Sequence, residues 1–151
     1  MNIATTKEQC VRLLRSGVSA DTADMFYQTP MTVSQKATKE DILLVKNAGK
    51  TLFDTDTPAW SLSALLGLLP KEIKVDESPY DEVQKYGLLI YPFMGGWQVD
   101  YQYCEDDECH CLKCVHDTDP IEACVKAIEW LAANGYKLND VNSMNYKDGK
   151  Q

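Results

Sequence analysis

The stretch Gly95–Tyr103 constrains this chain most. Trp97, Val99, Tyr101 and Tyr103 alternate with Gln98, Asp100 and Gln102, the period of two that marks a half-buried strand. Gly95-Gly96, between Met94 and Trp97, reads as a two-residue hairpin turn, so the apolar run that ends at Phe93 becomes an antiparallel partner. Glu105–Glu108 reads as a second turn and returns the chain along Cys109–His116. This register sets Cys104 opposite Cys109, Tyr101 opposite Leu112 and Asp100 opposite Lys113, the last a favourable cross-strand charge pair.

Helix signals surround this meander. Asp119-Pro120-Ile121-Glu122 combines a cap, a proline at the first helical position and a glutamate placed to close a capping box. Ile121, Cys124, Val125, Ile128, Leu131 and Ala132 form one apolar stripe, and Asn134-Gly135-Tyr136 reads as a Schellman stop. Upstream, Thr6 and Gln9 make a capping box for a helix that Gly17 ends. Ser61 caps a helix through Leu62, Leu65, Leu66 and Leu69, with Trp60 placed to staple Leu65 and Pro70 as the stop. Ser19 introduces a short helix over Ala20–Phe26, Met31–Lys36 reads as a short strand, and Lys71–Lys85 as a polar link. Ile42–Val45 fits either a helix or a buried strand; the strand is favoured, with Lys50–Phe53 pairing back to it.

The expected fold class is therefore α+β. A three-stranded antiparallel meander over Tyr86–His116 is followed by an amphipathic helix, with a mostly helical N-terminal half packed on it. Residues 1–138 form a single domain and 139–151 a frayed tail.

A chain of 151 residues can close a core without metals or cross-links. A hydrophobic share of 44% with 25% charged residues is the balance of a globular protein. The net charge of -8 argues against nucleic-acid binding, which needs a basic face. No segment approaches the ~20 apolar residues of a membrane span. The opening MNIATTKEQC carries no apolar run, so a cytoplasmic protein with reduced cysteines is expected.

The sharpest chemical feature is the cysteine cluster Cys104, Cys109, Cys111 and Cys114, interleaved with His110 and His116. In the register above, Cys104, Cys109 and Cys111 share one face and Cys114 points to the core. The first three are thus candidate zinc ligands needing a fourth from elsewhere, beside the alternative of a Cys104–Cys109 disulfide. No cofactor is expected, with zinc at these thiols as the alternative. The histidines join no Ser/His/Asp or Cys/His arrangement, and nucleophile, base and orienting group never converge, so no enzyme is expected. With Trp97, Val99 and Tyr101 turned inward, the opposite face carries Leu89, Tyr91, Phe93 and Val115. An apolar second face needs a cover, either another layer of this chain or an interface with a protein partner or second copy.

Three segments, Leu13–Met25, Pro58–Pro70 (PAWSLSALLGLLP) and Asp119–Asn139 (DPIEACVKAIEWLAANGYKLN), resemble a family of small uncharacterised proteins from phages and mobile elements of gut Bacteroidales. The resemblance implies an accessory protein acting inside a bacterial cell and carries no catalytic residues. The strand order ending in an amphipathic helix is also similar in topology to HicB-type antitoxins. Three readings follow: a non-enzymatic binding or regulatory accessory protein, a small zinc-binding domain, or a HicB-like antitoxin module.

Overall fold

The computed structural model describes residues 2–28, 42–45, 56–77 and 82–139. Its elements are α1 (Lys7–Arg15), a 3-10 turn (Ala20–Thr22), β1 (Met25–Gln28), β2 (Ile42–Val45), β3 (Thr57–Ala59), α2 (Leu62–Leu68), β4 (Glu72–Glu77), β5 (Glu82–Phe93), β6 (Gly96–Glu105), β7 (Glu108–Asp117) and α3 (Pro120–Ala133). The class is α+β, with a three-stranded sheet in the order β2-β1-β3 and a four-stranded sheet in the order β4-β5-β6-β7, every pairing antiparallel.

Helix ends follow the expected local chemistry. Thr6 and Gln9 close the capping box of α1, and Ser61 caps α2. Gly135, at φ 77°, forms the Schellman turn after α3, with Tyr136 N–H donating to Leu131 and Gly135 N–H to Ala132. Asp119 caps α3 through the Ile121 N–H, but Glu122 does not close a box. Its carboxylate instead receives Gln9 Nε2 at 2.6 Å and Arg12 at 2.7 Å, tying α3 to α1. Arg12 also pairs with Glu129.

The N-terminal half departs from the mostly helical expectation. Only one 3-10 turn forms after Ser19, and Met25–Gln28 is a strand pairing with both β2 and β3. Met25, Phe26 and Tyr27 are too short an apolar run to separate strand from helix by periodicity. Ile42–Val45 is a strand as favoured; its partner is β1, while Lys50–Phe53 and Met31–Lys36 lie outside the described residues. Trp60 is the anchor of this half, with no exposed surface. Its indole N–H donates to Thr22 Oγ1 at 2.9 Å, and its backbone N–H to Thr5 Oγ1 at 3.0 Å.

The larger sheet has a strand more than expected. Glu72–Glu77, read as part of a polar link, pairs along β5 as an edge strand whose Ile73 joins the core. The first turn is Met94-Gly95, one residue earlier than expected, with φ of 46° and 72°. Gly96 is instead the first residue of β6, where a Cβ would lie 2.6 Å from the Asp117 carbonyl oxygen and only glycine fits. The second turn is Asp106-Asp107, also at positive φ.

A bulge decides the register of β7. Cys104 pairs with Cys109 and Gln102 with Cys111, as expected, but Leu112 is an extra residue, and the pairing resumes with Tyr101 opposite Lys113. Everything beyond it changes face. Asp100 lies opposite Cys114 rather than Lys113, and Val115 lies opposite Val99. Val115 is 6% exposed and belongs to the core, not to the outward face.

Helix α3 covers the inward face of β6 and β7, with α1 and α2 packed on it. Val99, Tyr101 and Val115 meet the buried stripe Ile121, Cys124, Val125, Ile128 and Leu131 in one core. Tyr101 reaches through it to donate its hydroxyl to the Pro70 carbonyl at 2.8 Å. Asn139 closes the described chain by donating to the carbonyls of Leu68 and Leu69 at the end of α2. Among the described residues no helix is long and apolar enough to cross a membrane.

Candidate functional site

The candidate site is the outward face of β5–β7. Leu89, Tyr91 and Phe93 stand on β5 with Gln98, Asp100 and Gln102 beside them on β6. On β7 this face carries Cys109, Cys111, Cys114 and His116. Leu89 and Phe93 remain 44% and 47% exposed, as large apolar side chains rarely do when a layer covers them. Met94, in the adjoining turn, is more exposed still. Phe93 sits edge-on to both Tyr91 and His116, at ring separations of 6.2 and 6.4 Å, and His116 Nε2 lies 2.9 Å from the Phe93 carbonyl oxygen. Of the four interface residues expected from sequence, three are together here and Val115 is not.

The cysteines are arranged differently from the expected reduced trio. Cys104 and Cys109, directly opposite across the turn with Cα atoms 4.1 Å apart, are joined as a disulfide. Cys111 and Cys114 form a second, their Cα atoms 6.6 Å apart. The bulge explains this second pair. In a regular strand, residues three apart face opposite sides, and the extra Leu112 brings Cys114 round to the side of Cys111. Cys104, Cys109 and Cys111 therefore do not assemble as one ligand set.

Asp100 completes the group. It is 2% exposed, although it lies on the outward face. Tyr91 donates its hydroxyl to one carboxylate oxygen at 2.6 Å, and Gln98 Nε2 donates to the other at 2.9 Å. The hydrogen bond to Asp100 holds the Tyr91 phenol above its ordinary value. One ligand atom each from Asp100, Cys111 and Cys114 lies within 4.8 Å of the others. Sequence reasoning missed both Asp100 and Cys114 as site residues. The available signal was the Cys-x-x-Cys spacing itself, since two cysteines so spaced in a strand share a face only across a bulge.

Other chemistry-bearing residues are placed apart. His110 stacks on Tyr103 at 4.7 Å, on the opposite side of the sheet. Cys10 and Cys124 are free thiols inside the core, and burial pushes Cys124 up to about 12, so it stays protonated and inert. A cavity of about 840 Å³ opens between the turn after α1 and the segment after α3, lined by Ser16, Val18, Thr22, Leu68, Tyr136 and Asn139 among others. No carboxylate, imidazole or thiol lines it among the described residues. No protein-family model, curated protein or solved structure matches the chain.

Proposed function

We propose that this chain is a non-enzymatic protein-binding module, an accessory protein of a phage or mobile element, that meets a partner protein with the outward face of β5–β7. The exposure of Leu89 and Phe93 around the Tyr91 ring carries this reading. The centre of the face is apolar, aromatic and amide-bearing, and its carboxylate, Asp100, is buried and hydrogen-bonded. Aromatic enrichment with few exposed charges is the composition of an interface centre. The net charge of -8 spreads over the rest of the molecule and favours a partner with a basic rim. The phage or mobile-element setting rests on the resemblance of the Pro58–Pro70 and Asp119–Asn139 segments.

The test is affinity capture from the native host, with light scattering of the purified chain for self-association. Wild type is expected to retain a partner or form a dimer, with Phe93→Glu losing it and Leu89→Ser weakening it, both at the wild-type unfolding midpoint. A monomer at high concentration, with capture unchanged by both substitutions, overturns the reading.

A further inference from the structure

We infer that the reduced chain holds a divalent zinc ion between Asp100, Cys111 and Cys114, and that the Cys111–Cys114 disulfide is the oxidised, metal-free state of the same site. The inference is independent of what docks on the outward face. Two observations carry it. The two sulfurs are joined in the disulfide and an Asp100 carboxylate oxygen lies within 4.8 Å of each, close to the roughly 3.5–3.8 Å that separates sulfur and oxygen ligands around tetrahedral zinc. Second, Asp100 is 2% exposed, and among the described residues no lysine, arginine or histidine forms an ion pair with it. Buried carboxylates ordinarily pair with a cation or bind a metal; here the neutral donors Tyr91 and Gln98 hold the carboxylate, and two cysteine sulfurs lie beside it.

The chemistry of the ligands selects the ion. Two thiolates and one carboxylate suit borderline-soft zinc rather than calcium or magnesium, which take all-oxygen shells. Tyr91 and Gln98 hold the carboxylate as outer-shell donors fix a metal ligand. Cys111 and Cys114 are exposed, so the fourth position of the tetrahedron opens to water.

The two states exclude each other because they use the same sulfurs. A dithiol reductant supplies two electrons and two protons: the S–S bond breaks, two thiols form, and the reductant closes its own disulfide. Zinc then displaces the two thiol protons to solvent as the Zn–S bonds form. Cys104 and Cys109 take no part.

The full chain, reduced with dithiothreitol and desalted without oxygen, is titrated with cobalt(II) as a coloured substitute and then with zinc(II). One cobalt per chain is expected, with a thiolate-to-metal charge-transfer band that zinc bleaches. Zinc should also shield Cys111 and Cys114 from alkylation while Cys104 and Cys109 react. Cys111→Ser and Cys114→Ser should each abolish the band, Asp100→Asn should weaken binding by about tenfold or more, and Cys104→Ser with Cys109→Ser should leave it unchanged. Far-ultraviolet circular dichroism of each variant verifies that it is folded. Absence of the band in the reduced wild type, its survival in folded Cys111→Ser, or its loss in the folded Cys104→Ser/Cys109→Ser double variant overturns the inference.

Discussion

On β6, Val99 and Tyr101 are closed over by α3, whereas Gln98 and Gln102, one residue along in each case, belong to the side that carries Leu89, Tyr91 and Phe93. The covered side holds aliphatic and aromatic groups packed in one cluster, and its buried hydroxyl at Tyr101 has a carbonyl partner. The outward side leaves Leu89 and Phe93 about half exposed and carries both disulfides and a hydrogen-bonded carboxylate. Stability is thus concentrated on one face.

The comparison can be broken most forcefully at Val115. Val115→Asp places an unpaired charge in the core and is expected to lower stability by about 4 kcal/mol or more. Phe93→Asp, on the other face, should stay within about 0.5 kcal/mol; urea unfolding of the pair decides it, and equal costs would mean that the outward face is covered. Tyr101→Phe removes the bond to Pro70 and strands a carbonyl, for about 1–2 kcal/mol by the same measurement. Leu89→Ser is expected to shift the midpoint by less than about 0.5 kcal/mol while weakening partner capture.

A comparably small effect lies at the rim of the covered face. Burial of Asp117 opposes ionisation, but the hydrogen bonds from Lys126 and the Asp119 N–H outweigh it and leave the carboxyl below its ordinary value of 3.8. A carboxyl depressed in the folded state stabilises above its unfolded pKa, and that contribution is lost as pH falls through the folded one. Lys126 is largely exposed, so Asp117→Asn should cost about 0.5 kcal/mol at neutral pH. The gap between variant and wild type should close in unfolding measurements below pH 3.8.

What was legible in the sequence was what is encoded locally. The caps at Thr6, Ser61 and Asp119 and the stop at Gly135 depend on a few neighbouring atoms, and the period of two from Trp97 to Tyr103 depends on one burial face. Ile73 and Val75 carry the same period but are too few, among Glu72, Lys74 and Asp76, to announce an edge strand. The site was less legible because its geometry turns on Leu112. No glycine or proline marks that bulge, and Cys109–Val115 reads equally well as unbroken alternation. One uncounted residue therefore exchanged Val115 for His116 on the outward face and moved Cys114 from the core to the side of Asp100.

That same residue has a consequence for how the hairpin tolerates change. Leu112 separates β7 into two stretches with independent parity, so the tip from Gln102 to Cys111 answers to its own turn and disulfide, and the base from Val99 to Val115 answers to α3. Matched insertions in both strands of the tip would preserve the phase of the base. Pairing Leu112 into the ladder, so that Lys113 met Asp100, would force the two halves into one phase and oblige the molecule to give up either its core valine or its paired cysteines, whereas deleting Leu112 would leave a regular strand with both in place. The tip is in this sense an interchangeable cassette on a fixed frame, and the bulge is the joint at which it detaches.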